Sequence, residues 1–182
     1  MLGINHLISL ILILLIELRL KNFIDHGIIG NRMAVLFIKG DLFNYPGLTA
    51  YAHGCNCAGA MGKGIALDFK VRYPKMYEEY KVRCKNGTFK LGSVFVYSSP
   101  PFTVFNLGTQ KNWRTKAELP AIMESLSLML KLADDNGITQ IGLPRIGAGL
   151  GGLVWEEVKE VIVHTAKDSL VNLVVFEEFL KS

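Results

Sequence analysis

The chain has 182 residues, half of them hydrophobic and a fifth charged, with a formal net charge of +4. That length lets one domain bury enough surface to fold without disulfides or structural metal, and the composition excludes an intrinsically disordered chain. The lysines and arginines are scattered rather than clustered, which fits a small anionic ligand and falls short of a nucleic-acid groove.

Residues 1–32 differ from the rest. Leu7 to Ile16 is an apolar run broken only by Ser9, yet about ten residues is half of what spanning a bilayer requires. No basic stretch precedes it and no small-residue cleavage site follows, so a secretory signal is a poor reading. The segment reads as an N-terminal extension, either the product of a start codon assigned upstream of Met33 or an accessory helix. No stable membrane association is expected.

From Met33 the chain alternates strand-like and helix-like segments, which predicts a domain over residues 33–182. Ala34 to Lys39 and Leu48 to His53 read as strands, and a glycine-rich loop follows the second. Lys63 to Tyr73 reads as a helix, and Pro74 opens another through Cys84. Leu91 to Ser98 and Phe102 to Leu107 form a hairpin across Ser-Pro-Pro. Lys116 to Asp134 carries apolar residues at helical spacing and ends at Asn136-Gly137. Ile138 to Leu143 is a buried strand leading to a second glycine-rich loop, Trp155 to Thr165 is a helix, and Leu170 to Phe176 closes the sheet. Strands joined by crossover helices imply a three-layer α/β/α domain with a mixed, largely parallel central sheet. Ligands sit at the carboxyl ends of the strands in such sheets.

Cys55, Cys57 and Cys84 cannot pair completely, and Cys55-x-Cys57 lacks a second Cys or His pair at zinc spacing. His6, His26, His53 and His164 show no metal-ligand spacing either. The expectation is a reduced, cytoplasmic compartment, no structural metal and no cofactor.

Both glycine-rich loops, Gly54 to Gly64 and Arg145 to Gly152, fall between a strand and a helix. Free backbone N–H groups and the helix dipole favour an anion there, phosphate above all. The first loop is neither a Walker A loop nor a dinucleotide fingerprint. The second formally contains G-x-G-x-x-G, and Glu177 stands roughly where a ribose-binding acid could be, so a Rossmann site is a rival. Against it, the match opens near the end of the chain, leaving no room for the remaining strands.

Lys39-Gly-Asp-Leu-Phe43, Ala52-His-Gly-Cys-Asn-Cys-Ala-Gly-Ala-Met-Gly-Lys-Gly-Ile-Ala66 and Leu143-Pro-Arg-Ile-Gly-Ala-Gly-Leu150 resemble the macrodomain family in order and spacing. The likeness covers nearly everything after Met33. Its flavour is the branch of terminal ADP-ribose protein glycohydrolases, antitoxins that strip ADP-ribose from DNA, and yeast-type ADP-ribose-1″-phosphate phosphatases. The resemblance implies that Asp41, beside Leu42, accepts a hydrogen bond from the adenine amino group, and that Asn56 reaches the distal ribose. It further implies that backbone amides around Ala58, Met61, Gly62, Lys63, Gly64 and Ile65 hold the diphosphate. Those of Ile146, Gly147, Ala148, Gly149, Leu150 and Gly151 would share it, with Thr109 and Arg145 adjoining. Each has a duller alternative: Asp41 as a solvated strand-end acid, Asn56 as a turn residue, Lys63 as a solvated helix-start lysine.

At the catalytic positions the chain departs from that branch. The register puts Gln110 where the family has a nucleophilic lysine and Gly151 where one subgroup has an aspartate. Glutamine cannot form the amine adduct, and Lys111 is one residue away, on the opposite face if the segment is a strand. A monomer that hydrolyses ADP-ribose from a modified protein or nucleic acid is the preferred reading, with Asn56, Gln110 and Lys111 as candidate catalytic residues. ADP-ribose-1″-phosphate hydrolysis is second, with His53 as acid or base or else simply packed under the loop. A reader without chemistry is the non-enzymatic rival. Trp113 and Arg114 fit either an interface or a buried loop anchor.

Overall fold

The computed structural model describes residues 34–180, so the extension expected over residues 1–32 lies outside the described residues. Among those described, the strands are β1 (Val35–Gly40), β2 (Ala50–Asn56), β3 (Val94–Ser99), β4 (Phe102–Gln110), β5 (Gln140–Pro144) and β6 (Asn172–Phe179). The helices are α1 (Ile65–Arg72), α2 (Pro74–Lys85), α3 (Leu119–Asp135) and α4 (Trp155–Ala166). The strands form one sheet in the order β1-β6-β5-β2-β4-β3. Every neighbouring pair is parallel except the β3–β4 hairpin.

The period-two alternation of the strands divides the core. Ala50, Ala52, Phe105, Leu107, Leu143 and Val175 face one side and pack with α3 and α4, where Ile122, Leu126, Val158 and Ile162 are fully buried. Their neighbours Tyr51, Cys55, Val104, Val174 and Phe176 face the other side, with Phe69 of α1, Met76 and Tyr80 of α2, and the 41–48 loop. Gly142 sits where that loop lies on the sheet. A Cβ there would stand 2.3 Å from Leu48 Cδ2 and 2.8 Å from Leu42 Cδ1, so only glycine fits without displacing both leucines.

The strands and helices expected from Ala34 onward are present, with boundaries moved by tertiary pairing. β4 continues three residues past Leu107 because Cys55 and Asn56 of β2 pair with Gly108 and Gln110. β2 likewise runs on to Asn56, into the glycine-rich segment. The long helix begins at Leu119 rather than Lys116, since Ala117 is held in an antiparallel bridge to Gln110 and Pro120 takes a first-turn position. Among the described residues no helix is long and apolar enough to cross a membrane.

Candidate functional site

The carboxyl ends of β2, β4 and β5 open into a cleft of about 870 Å³, walled by the two glycine-rich loops and by the 110–117 loop. Among the described residues Lys63, Arg114 and Arg145 line it, and no carboxylate does. Chain folding has therefore gathered cations that the sequence scatters. Leu150 is exposed at the tip of the second loop and reaches toward Gly64 of the first, where a Cβ would meet its Cδ1 at 3.5 Å.

The first loop is organised by Asn56 at the end of β2. Its Oδ1 accepts from the backbone N–H groups of Ala58 (3.0 Å) and Ala60 (3.3 Å), and its Nδ2 donates to the Ala60 carbonyl at 2.6 Å. From below, the Tyr80 hydroxyl donates to the Asn56 carbonyl. The loop delivers the chain to α1 with Gly64 at the N-cap and no side chain capping the helix. Free N–H groups at an uncapped helix start, facing a cleft, form a ready anion site.

The second loop turns on Gly147, whose carbonyl accepts from Leu153 at 3.0 Å. Gly151 folds back so closely that a Cβ on it would stand 2.5 Å from the Gly147 oxygen. The aspartate that the resemblance implies at this position in one subgroup would meet the Gly147 carbonyl here. The Gly151 carbonyl accepts from Ala117 N at 2.9 Å, tying this loop to the third wall.

The structure places the sequence-derived candidates unevenly. Asn56, Gly62, Lys63, Gly64, Ile65, Thr109, Gln110, Arg145, Ile146, Gly147, Gly149, Leu150 and Gly151 line the cleft. Leu42 and Met61 are buried in the core beneath the sheet face, and Ala58 and Ala148 fall outside the lining. Asp41 also falls outside it, its carboxylate accepting from Phe43 N at 2.9 Å and Asn44 Nδ2 at 3.0 Å. Gln110 turns its side-chain amide to the Thr115 carbonyl, whereas Lys111 is exposed and does not line the cleft. Gly54, Cys55 and Ala60 of the first glycine-rich loop also line the cleft, as do Ala66, Ala117 and Pro144, which the sequence did not single out, and Trp113 and Arg114, for which it left interface and loop anchor open. The strand-end position of Pro144 and the helix-start position of Ala66 could have flagged those two. The bridge that brings in Ala117 leaves no trace in the sequence.

Several nearby groups are chemically quiet. His53 is fully buried, stacked on Phe69 with ring centroids 4.0 Å apart, its Nε2 2.9 Å from Asn106 Oδ1. Burial lowers its pKa to about 4, against a smaller upward pull from Asn106, so it is neutral and walled off from the cleft. The Cys55 thiol is pushed well up by burial, and that of Cys57 up to about 11, which leaves no ready thiolate. Glu177 accepts from Trp155 Nε1 at 2.9 Å and pairs with Lys159 at 2.8 Å, away from the cleft. It is thus not poised as the ribose acid of a Rossmann site. No group of three or more metal-ligating side chains occurs among the described residues.

Known proteins align with this arrangement. The Macro domain family matches residues 52–162. A DNA ADP-ribosyl glycohydrolase of Thermus aquaticus is 36% identical over 130 residues, which is 69% of this chain and 36% of that protein. The chain thus spans about a third of the length of that relative. The ADP-ribose glycohydrolase OARD1 of Homo sapiens is 30% identical over 142 residues, 78% of this chain and 90% of that protein. The solved macrodomain of Thermus aquaticus DarG superposes with a TM-score of 0.72 at 34% identity, covering 79% of this chain and 97% of that one.

Proposed function

The chain belongs to the macrodomain family, and from that premise we propose that it binds ADP-ribose in the cleft and hydrolyses it from a modified macromolecule. One observation carries the reading: the uncapped start of α1 and the tight second loop converge on a cleft that, among the described residues, is lined by three cations and no carboxylate. A diphosphate between the loops would meet backbone N–H groups from both. The distal ribose would lie toward Asn56 and Gln110. Adenine would extend toward the Asp41 and Leu42 corner, where a carboxylate oxygen can accept more than one hydrogen bond.

In this reading water is the nucleophile. Clamping the diphosphate fixes the anomeric carbon, and the polar side chains of Asn56 and Gln110 orient a water on it. Attack breaks the glycosidic bond, and the released group takes up a proton. Orientation of this kind supplies much of a rate without a covalent adduct. The curated relatives, named as glycohydrolases, support hydrolysis. Cys55, Cys57 and Cys84 are all free, which fits a reducing compartment such as the cytoplasm.

A second reading, a reader without chemistry, is favoured by two features. Gln110, which the resemblance puts at the lysine position, has its amide committed to Thr115, and Gly151 leaves no space for an acid. Calorimetric titration with ADP-ribose, followed by a release assay on ADP-ribosylated protein and DNA, separates them. Binding with release is expected, binding without release favours the reader or an ADP-ribose-1″-phosphate phosphatase, and no binding overturns all of them.

A further inference from the structure

The second glycine-rich loop leaves the sheet at Arg145, and what holds that side chain lies outside the cleft. Pro144 of β5 pairs with Phe176 of β6, so Arg145 and Glu177, the next residue of each, stand level at neighbouring strand ends. On its other side β6 pairs Phe176 with Ile38 and Glu178 with Lys39, which makes Glu177 the extra residue of a bulge. Bulges re-aim side chains and are common beside functional sites.

Arg145 and Glu177 meet through the indole of Trp155, the first residue of α4, which is 8% exposed and packs in the core. Trp155 Nε1 donates to Glu177 Oε1 at 2.9 Å, and the guanidinium carbon of Arg145 stands 5.1 Å from the centre of the ring. Lys159, one turn along α4, pairs with the same Glu177 oxygen at 2.8 Å, its ammonium 4.7 Å from the centre of the Phe37 ring. Phe37 meets Trp155 edge-on, with ring centres 6.3 Å apart.

A part-buried indole N–H needs an acceptor, and a neutral carbonyl would satisfy it. The bulge supplies a carboxylate instead. Lys159 and the indole N–H hold its pKa below the ordinary value, so it is ionised at neutral pH. A charged acceptor on the N–H polarises the ring and strengthens the pull of its face on a cation. Arg145 is the cation on that ring that also lines the cleft. An arginine held in place before an anion arrives has less rotamer freedom to lose on meeting it.

We propose that Glu177 is a positioning residue for the ligand site: through the Trp155 indole it holds the Arg145 guanidinium ready for the anionic part of the ligand. This rests on the ADP-ribose reading above, and it gives a different task to the acid that the G-x-G-x-x-G match raised. The sign of the effect separates positioning from charge. If Glu177 acted only as a negative charge near an anion site, removing it would strengthen binding.

Calorimetric titration of the full chain with ADP-ribose is the test, with urea denaturation of each variant alongside. Glu177→Ala is expected to weaken binding about three- to tenfold, even though it removes a negative charge. Glu177→Gln keeps an acceptor for the indole N–H and restores most of the loss. In an Arg145→Met background Glu177→Ala causes no further loss, because the residue through which it acts is gone. Should Glu177→Ala not fold, Trp155→Phe, which keeps a ring and drops the N–H, replaces it with the same expectations. Binding by the Ala variant as tight as that of the natural chain, or tighter, overturns the proposal. So does the same fold-loss with and without Arg145, which would make Glu177 a general support of the loop. If the natural chain does not bind ADP-ribose at all, the ligand reading falls and the proposal with it; binding that ignores Glu177 sinks the proposal alone.

Discussion

His53 is a residue whose burial sets a pH dependence. Its imidazole is stacked on Phe69, bonded to Asn106 and cut off from water, and its pKa is lowered from 6.5 to about 4 by that burial. The unfolded chain therefore binds one more proton than the native chain between those values, and stability falls as pH drops through that window. The loss amounts to about 3 kcal/mol and is complete near pH 4, because below that both states are protonated. Chemical denaturation across pH 4–7 should show this extra slope in the natural chain. His53→Gln, which can still donate to Asn106, should lose it, and equal slopes in the two would exclude His53 as the source. Gly151 makes a second residue-scale prediction. Any side chain there meets the Gly147 carbonyl, so Gly151→Asp should destabilise by about 1–3 kcal/mol and gain no hydrolytic rate. An Asp variant as stable as the natural chain in urea would show that the loop relaxes freely. The sequence named Gly151 as a departure from the family. Only the distance to the Gly147 oxygen shows that this turn has no space for a side chain.

At the scale of elements, the first loop and α1 act together. Asn56 ties Ala58 and Ala60 into a turn that leaves the first N–H groups of α1 facing the cleft. Asn56→Ala removes three hydrogen bonds and frees the loop, so ADP-ribose affinity should fall by about tenfold or more, roughly 1–2 kcal/mol, with a small change in global stability. Calorimetry alongside urea denaturation distinguishes this from unfolding, and unchanged affinity would remove Asn56 from the binding surface. The glycine pattern made this loop legible, because a strand, a run of small residues and a helix start are all local signals. The end of β4 was not legible. Gly108-Thr109 looks like a turn, and the segment stays extended only because β2 pairs with it on one side and Ala117 bridges Gln110 on the other. That non-local pairing puts Gln110 in the cleft lining and leaves Lys111 out of it. Lys111→Ala should accordingly leave release unchanged in an assay on ADP-ribosylated protein, whereas Gln110→Ala should slow it several-fold.

Among the described residues, two apolar faces of one sheet are each covered by a helix pair. Alternation of apolar residues along the strands made this layering readable from sequence. The gathering of Lys63, Arg114 and Arg145 at one end of the sheet was not, since they come from three separate connections. If the folding unit is the domain over residues 33–182, a chain beginning at Met33 should respond to ligand as the full chain does. ADP-ribose at 100 times its dissociation constant stabilises a binding-competent fold by about 2.7 kcal/mol. In a domain of this size that raises the melting temperature by roughly 5–10 °C. The two forms should show the same rise and the same dissociation constant. A shortened chain that melts normally but shows no rise would place part of the ligand site in residues 1–32. One that fails to fold would make that segment part of the core. Equal responses from both would leave binding to the two glycine-rich loops and the sheet ends that carry them.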